Sequence, residues 1–389
     1  MTKTTDSFHQ KLERRFASID DLEIHAQKRL PKFAFDYLQG GTGQETAIAR
    51  NRSSLNNIQL IPHHMVEPFE PQLKTSLLGR TWSAPYGIAP LGLSGLIWPD
   101  AAKHFARTAQ QQNIPTVLST VATTKLETIA QLAPDTAWFQ LYIPNDDAIN
   151  RSIIERAKTA GYKTLVVTID VPALGRRARD IKNGLAVPPK ITFKNIIQGA
   201  THPTWALSTL KAGMPDFETL APYVPKGTDM RAASQYVSAL ARGHVSMDKL
   251  QKVRDLWPGN LVVKGILNEI DAASAKQVGC DGIIISNHGG RQLDAAPAPI
   301  TIIKNIRREV GAQMPIIADS GVRSGLDIAR LMAHGADFVL LGRAFGYSVA
   351  ALGERGPDHA HYILSQELKN VLSQLGCKTP QDLPRVGLV

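Results

Sequence analysis

Eight short, unbroken apolar runs constrain what this chain can fold into. They are YGIAPL (86–91), TVLST (116–120), AWFQLY (137–142), TLVVTID (164–170), LVVKGI (261–266), GIIIS (282–286), PIIADSG (315–321) and FVLLGRA (338–344). Runs rich in β-branched residues without polar alternation suit strands buried on both faces of a parallel sheet. Helical patterns separate them, among them 100–113, 152–161 and 324–336. Eight β-then-α units predict an α/β chain forming one (β/α)8 TIM-barrel domain over 1–389 that begins with an N-terminal helical extension over 1–80. A doubly wound sheet is the alternative, weakened because no G-x-G-x-x-G follows a strand. The connection from strand four to strand five is far longer than the others. An insertion is therefore expected at about 176–235.

Charge narrows the partners. The 389 residues carry 44 Lys and Arg against 34 Asp and Glu, a net +10, which invites an anionic surface or ligand. Nucleic acid is disfavoured because no basic run is interleaved with aromatic residues. From Arg176 to Lys249, 11 Lys and Arg stand against five acidic residues. Ile191, Phe193, Ile196, Ile197, Trp205, Leu207, Leu210, Met214 and Phe217 lie among them. A basic segment with apolar anchors suits an anionic bilayer. The competing expectation is a lid whose apolar residues pack on the barrel. Thr81 to Pro99 is uncharged, but its prolines and glycines break it, so no membrane span is expected. The N-terminal MTKTTDSFHQKLERRF lacks the apolar core of a secretory signal. Cys280 and Cys377 form neither a disulfide framework nor a metal spacing, so a reducing compartment and no metal are expected.

Active sites of such barrels lie at the C-terminal strand ends. Those positions hold Gln140 and Tyr142, Thr168 and Asp170, Lys264, Ser286 and His288, Asp319, and Gly342 with Arg343. One ionisable group there has a bland structural explanation; five converging on one mouth do not. DSGVRSG (319–325) and GRAFG (342–346) follow strands seven and eight, where phosphate sites form from glycine N–H groups and helix N-termini. Arg323 and Arg343 would add charge-assisted hydrogen bonds. Lys264 suits an electron-accepting ring that becomes anionic on reduction; a Schiff-base lysine is the alternative, unsupported by the surrounding pattern. His288 fits a general base, with Asp170 to orient it. Arg177 and Arg291 imply a carboxylate substrate held bidentately, and Tyr142 could donate to its oxygen.

SNHGGRQLD (286–294) resembles the active-site signature of the FMN-dependent α-hydroxy acid oxidases and dehydrogenases. That family includes glycolate oxidase, L-lactate dehydrogenase and (S)-mandelate dehydrogenase. Similar stretches run through LPKFAFDYLQGG (30–41), NRSSLNNIQLIPH (51–63), WFQLY (138–142), TIDVPALGRRARDIKNG (168–184), VVKGI and ADSGVRSG. The resemblance implies FMN and oxidation of a 2-hydroxy acid to a 2-keto acid. FMN contacts would fall on Pro90, Leu91, Gly92, Ser119, Gln140, Thr168, Lys264 and Ser286, with Asp319, Gly321, Arg323, Gly342 and Arg343 at the phosphate. It implies His288 as base with Asp170, and Tyr37, Tyr142, Arg177 and Arg291 around the substrate. The histidine would take the proton of the hydroxyl or of the α-carbon while two electrons reach the flavin.

Two departures refine this. Gly92 stands where the oxidases typically carry alanine, which favours an acceptor other than O₂, such as a membrane quinone. Val121 replaces the tryptophan of glycolate oxidase and leaves room for a larger side chain. GLSGLIWP (92–99) is similar to the mandelate dehydrogenase loop, and THPTW (201–205) to the lactate dehydrogenase insertion. The expectation is an (S)-mandelate-like substrate or L-lactate. The enzyme would be a homotetramer, peripheral on the cytoplasmic side of the inner membrane. A soluble, peroxide-producing oxidase is the alternative, and a non-catalytic anion-binding barrel a remote one.

Overall fold

The structure, a computed structural model, describes residues 10–185, 190 and 192–389. Eight parallel strands close into a barrel in chain order. They are β1 (Tyr86–Ile88), β2 (Thr116–Ser119), β3 (Ala137–Leu141), β4 (Thr164–Thr168), β5 (Asn260–Ile266), β6 (Gly282–Ile285), β7 (Ile316–Ala318) and β8 (Phe338–Leu341). β8 pairs with β1 to complete the ring, Val339 opposite Tyr86. Seven of the expected runs contain their strands and β5 begins one residue earlier, at Asn260; Ser119, Gln140, Thr168 and Lys264 lie within β2, β3, β4 and β5. Gln140 is the last site residue still inside β3, whereas Asp170, His288 and Asp319 lie just beyond their strand ends, in the loops that form the mouth.

Inside the ring Val117, Trp138, Val166, Val262, Ile284, Ile317 and Phe338 form one buried cluster. Leu77 and Trp82, from the antiparallel hairpin Thr75–Leu77/Arg80–Trp82, join it, and the Trp82 and Trp138 rings meet edge to face at 6.0 Å. The hairpin thus plugs the end where the strands begin. A second, larger core lies between strands and helices. Asp146 caps Asp147–Thr159 and Ser324 caps Gly325–Ala333 by accepting from backbone N–H groups of the first turn.

The N-terminal extension folds as helices Ile19–Arg29, Lys32–Gln39 and Thr46–Asn56 packed around one side of the mouth. The long connection after β4 also contains helices: Ala178–Lys182, Phe193–Ala200, Pro203–Ala212 and Met230–Leu240. Met247–Leu256 then returns the chain to β5. Among the described residues no helix is long and apolar enough to cross a membrane.

One expectation for the insertion needs correction. Trp205 is not an outward anchor: it is 8% exposed, its ring lies edge-on to Phe33 at 5.5 Å, and its Nε1–H donates to the Leu96 carbonyl at 3.2 Å. An indole buried with its N–H satisfied ties the insertion to the barrel. Phe217 is also partly buried, and Ile191 lies outside the described residues. Phe193, Ile196, Ile197, Leu207, Leu210 and Met214 are exposed.

Candidate active site

β6 delivers the central group. After Ile285 the chain turns through Asn287–Gly290, and His288 adopts φ +57°, the left-handed region. For a residue with a Cβ this costs about 1–2 kcal/mol, so local hydrogen bonds must hold it. Ser286 Oγ accepts the His288 N–H at 3.0 Å, and Ser320 Oγ accepts that of Gly289 at 3.0 Å. The imidazole Nδ1 then meets Asp170 Oδ1 at 2.9 Å. Burial alone would raise the Asp170 pKa. His288 and Lys264 outweigh it and hold the carboxyl below the usual range. An ionised carboxylate only accepts, so Nδ1 donates and the Nε2 lone pair is left for a substrate proton.

Asp170 reaches this place because β5 makes room. A Cβ on Gly265, at φ +101°, would fall 2.6 Å from the Asp170 Cβ, and the β5–β6 register shifts between Lys264 and Ile266. Only glycine satisfies both the conformation and the approach.

Two guanidiniums flank one aromatic ring beside this pair. Arg291 lies 4.9 Å from the Tyr37 ring centroid and Arg177 5.7 Å. Arg291 donates to the Tyr37 and Gly40 carbonyls at 2.7 and 3.1 Å. Burial, reinforced by Arg177, lowers its pKa to about 10. Arg177 pairs through Nε with Asp180 at 2.9 Å. The Tyr37 hydroxyl donates to the Gly92 carbonyl at 3.1 Å, joining the extension to the β1 loop. Burial, with Asp170 nearby, raises the Tyr142 pKa, so the phenol stays protonated and able to donate.

Known proteins resemble the chain over nearly its whole length. Residues 26–388 match the family model of the FMN-dependent dehydrogenases. An L-lactate dehydrogenase of Pectobacterium atrosepticum is 37% identical over 95% of this chain and 96% of its own. The (S)-mandelate dehydrogenase of Pseudomonas putida is 37% identical over 92% and 90%. A crystal structure of (S)-mandelate dehydrogenase, described as a monotopic membrane protein, superposes with a TM-score of 0.90 at 36% identity, covering 96% of this chain and 98% of that one. The chain belongs to the FMN-dependent dehydrogenase family.

The dehydrogenase uses FMN, and the mouth has matching groups left over. Gln140 Nε2 and Thr168 Oγ1 are buried with no hydrogen-bond partner among the described residues. Buried polar groups are rarely left so, and two donors at adjacent strand ends fit the polar edge of a flavin. Ser119 Oγ orients Gln140 by donating to its Oε1 at 3.1 Å. Lys264 Nζ donates to Ser286 Oγ at 2.8 Å and pairs with Asp319 at 3.2 Å. Asp319 thus meets Lys264 at the mouth. The helices Gly325–Ala333 and Arg343–Leu352 begin directly after the β7 and β8 loops, with Gly321 at φ +91°.

Arg343 was expected to offer its guanidinium to the phosphate. Three of its five N–H groups, on Nε and both terminal nitrogens, donate to the carbonyls of Leu38, Gly40 and Gly289 at 3.0, 2.9 and 2.7 Å. The side chain is a strut between the extension and the histidine loop. Arg323 donates to the Val322 carbonyl and lies over the Tyr347 ring at 5.3 Å. Groups that sequence reasoning did not single out are Asn51, Asn287, Asp180 and Asp36. Asn51 and Asn287 lay inside quoted similar stretches, but nothing in their spacing distinguishes a brace from a surface amide.

Proposed function

We propose that the dehydrogenase oxidises an (S)-2-hydroxy acid to the 2-keto acid and passes the electrons to a membrane quinone. The observation that carries this reading is the His288–Asp170 pair at 2.9 Å beside two guanidiniums on the Tyr37 ring. Arg177 and Arg291 hold the carboxylate, which fixes the α-carbon near His288. His288 Nε2 takes up the proton released as the alcohol becomes a carbonyl, and Asp170 stabilises the imidazolium so formed. Tyr142 donates to the oxygen that changes from hydroxyl to keto. FMN, when bound, supplies the two-electron acceptor. Gln140, Thr168, Lys264 and Ser286 hold its ring; the backbone N–H groups of the loops after β7 and β8 hold its phosphate.

The substrate side chain is aromatic, as in (S)-mandelate, with L-lactate the second candidate. Val121, partly buried beside Gly92, leaves space that a larger residue would fill. The enzyme works as a homotetramer, peripheral on an anionic membrane. Phe193, Ile196, Ile197, Leu207, Leu210 and Met214 are exposed together with Lys194 and Lys211. Each such cation near an anionic surface contributes about 1 kcal/mol.

Anaerobic mixing with (S)-mandelate, L-lactate and glycolate should bleach the flavin fastest with mandelate. No bleaching by any of them would refute 2-hydroxy acid oxidation. His288→Ala should keep FMN and lose at least about 10²-fold in that rate. Co-sedimentation with anionic vesicles at low salt tests the membrane reading, and replacing the exposed Phe193, Ile196, Leu207 and Leu210 by serine should abolish it while reduction persists. Rapid peroxide production in air would favour an oxidase instead.

A further inference from the structure

His288 is not held by the barrel alone. Its left-handed backbone follows Asn287, whose side chain is buried, with the whole residue 2% exposed. Asn287 Oδ1 accepts the Gly290 N–H at 3.1 Å, closing the turn that contains His288. Its Nδ2 donates to the Pro297 carbonyl at 3.0 Å. The same amide forms a reciprocal pair with Asn51: Asn51 Nδ2 donates to Asn287 Oδ1 at 2.9 Å, and Asn287 Nδ2 donates to Asn51 Oδ1 at 2.6 Å. Two antiparallel N–H···O bonds between planar groups fix distance and orientation together.

Asn51 is itself 2% exposed and belongs to the helix Thr46–Asn56, outside the barrel. That helix is stitched to the histidine loop elsewhere too. Asp294 accepts from the Ala47 and Gln44 N–H groups at 2.8 and 2.9 Å, and Arg50 donates to the Asp294 and Ala296 carbonyls at 3.0 and 2.7 Å. On the other side Gly321 approaches so closely that a Cβ there would lie 3.0 Å from that of Asn51. The helix has little freedom to shift, so the amide pair transmits its position to the turn.

We infer that Asn51 is a positioning residue for the reaction: through its amide pair with Asn287 it holds the 287–290 turn in the conformation that aims His288 at Asp170 and the substrate. The inference rests on His288 being the base. A misplacement of about 1 Å at a reacting group costs on the order of 10²-fold. In FMN-replete Asn51→Ala the anaerobic flavin-reduction rate should therefore fall about 10- to 100-fold, with KM changed by less than about threefold. The isotope effect from substrate deuterated at the α-carbon should persist or grow, because the slowed step is the chemistry. A purely structural role would lower Tm and leave reduction rate and isotope effect in place.

Asn51→Ser, whose hydroxyl is too short to span the pair, is measured alongside in case the alanine variant does not accumulate. Reduction within about twofold of the parent in either variant overturns the inference. So does loss of FMN from both, which would assign Asn51 to fold integrity. His288→Ala is the control: parent-like reduction in that variant refutes the base assignment itself. Inactive His288→Ala beside parent-like Asn51 variants refutes only the role of Asn51.

Discussion

Asp170→Asn isolates the charge in the proposed catalytic pair. An asparagine keeps the shape and an oxygen that can still accept from His288 Nδ1 at the present 2.9 Å, so the imidazole need not move. What disappears is the negative charge facing the imidazolium. The Asp170 side chain is 12% exposed, so water screens it poorly. Two unit charges about 4 Å apart at an effective dielectric of about 20 interact by ~4 kcal/mol. At ~1.4 kcal/mol per tenfold this corresponds to on the order of 10³ in rate. The amide can also present its NH₂ to Nδ1 and favour the wrong tautomer, which adds to the loss. The assay is stopped-flow reduction of the holoenzyme without oxygen, followed at the flavin absorbance. Saturating substrate separates the chemical step from binding. FMN content and KM should stay close to the parent if Arg177 and Arg291 hold the carboxylate as proposed. A decrease below about tenfold, with FMN bound, would show that the charge does not stabilise a catalytic imidazolium.

Arg291→Lys should raise KM and weaken inhibition by carboxylates, since an ammonium cannot donate to the Tyr37 and Gly40 carbonyls and still offer a planar fork to substrate. Unchanged steady-state constants would remove Arg291 from the carboxylate site. In Gly92→Ala the new methyl would lie 2.9 Å from a Val121 methyl and 3.7 Å from the Tyr37 hydroxyl. It should alter the rate at which O₂ reoxidises the reduced enzyme, and equal rates in parent and variant would end that idea. Asp36 bears on stability and pH. Burial would raise its pKa, but Lys32, Asn183 and Arg179 more than offset this and lower it. The stability from this cluster is thus complete above the unfolded value of about 4 and is lost as pH falls through the depressed folded pKa. Asp36→Asn should flatten the acid limb of Tm against pH; an unchanged limb would show that the cluster does not govern it.

The barrel was legible because its cause is local and repeated. Each β-branched run can only be buried on both sides, and a chain with eight of them separated by amphipathic helices has few ways to do that. His288, Asp170 and Lys264 stood out as candidates for a related reason: strand ends in this architecture face one mouth. Tertiary structure decided what those side chains spend their hydrogen bonds on. Arg343 satisfies three carbonyls, and Asp319 turns to Lys264. Trp205 folds inward although its sequence neighbours Leu207 and Leu210 face out. None of this has a sequence period, because each outcome depends on which unsatisfied acceptor or cavity another segment happens to bring near. Asn51 is the clearest case: it stands 236 positions from Asn287, and only the docking of the N-terminal helices on the mouth turns two ordinary amides into one buried pair.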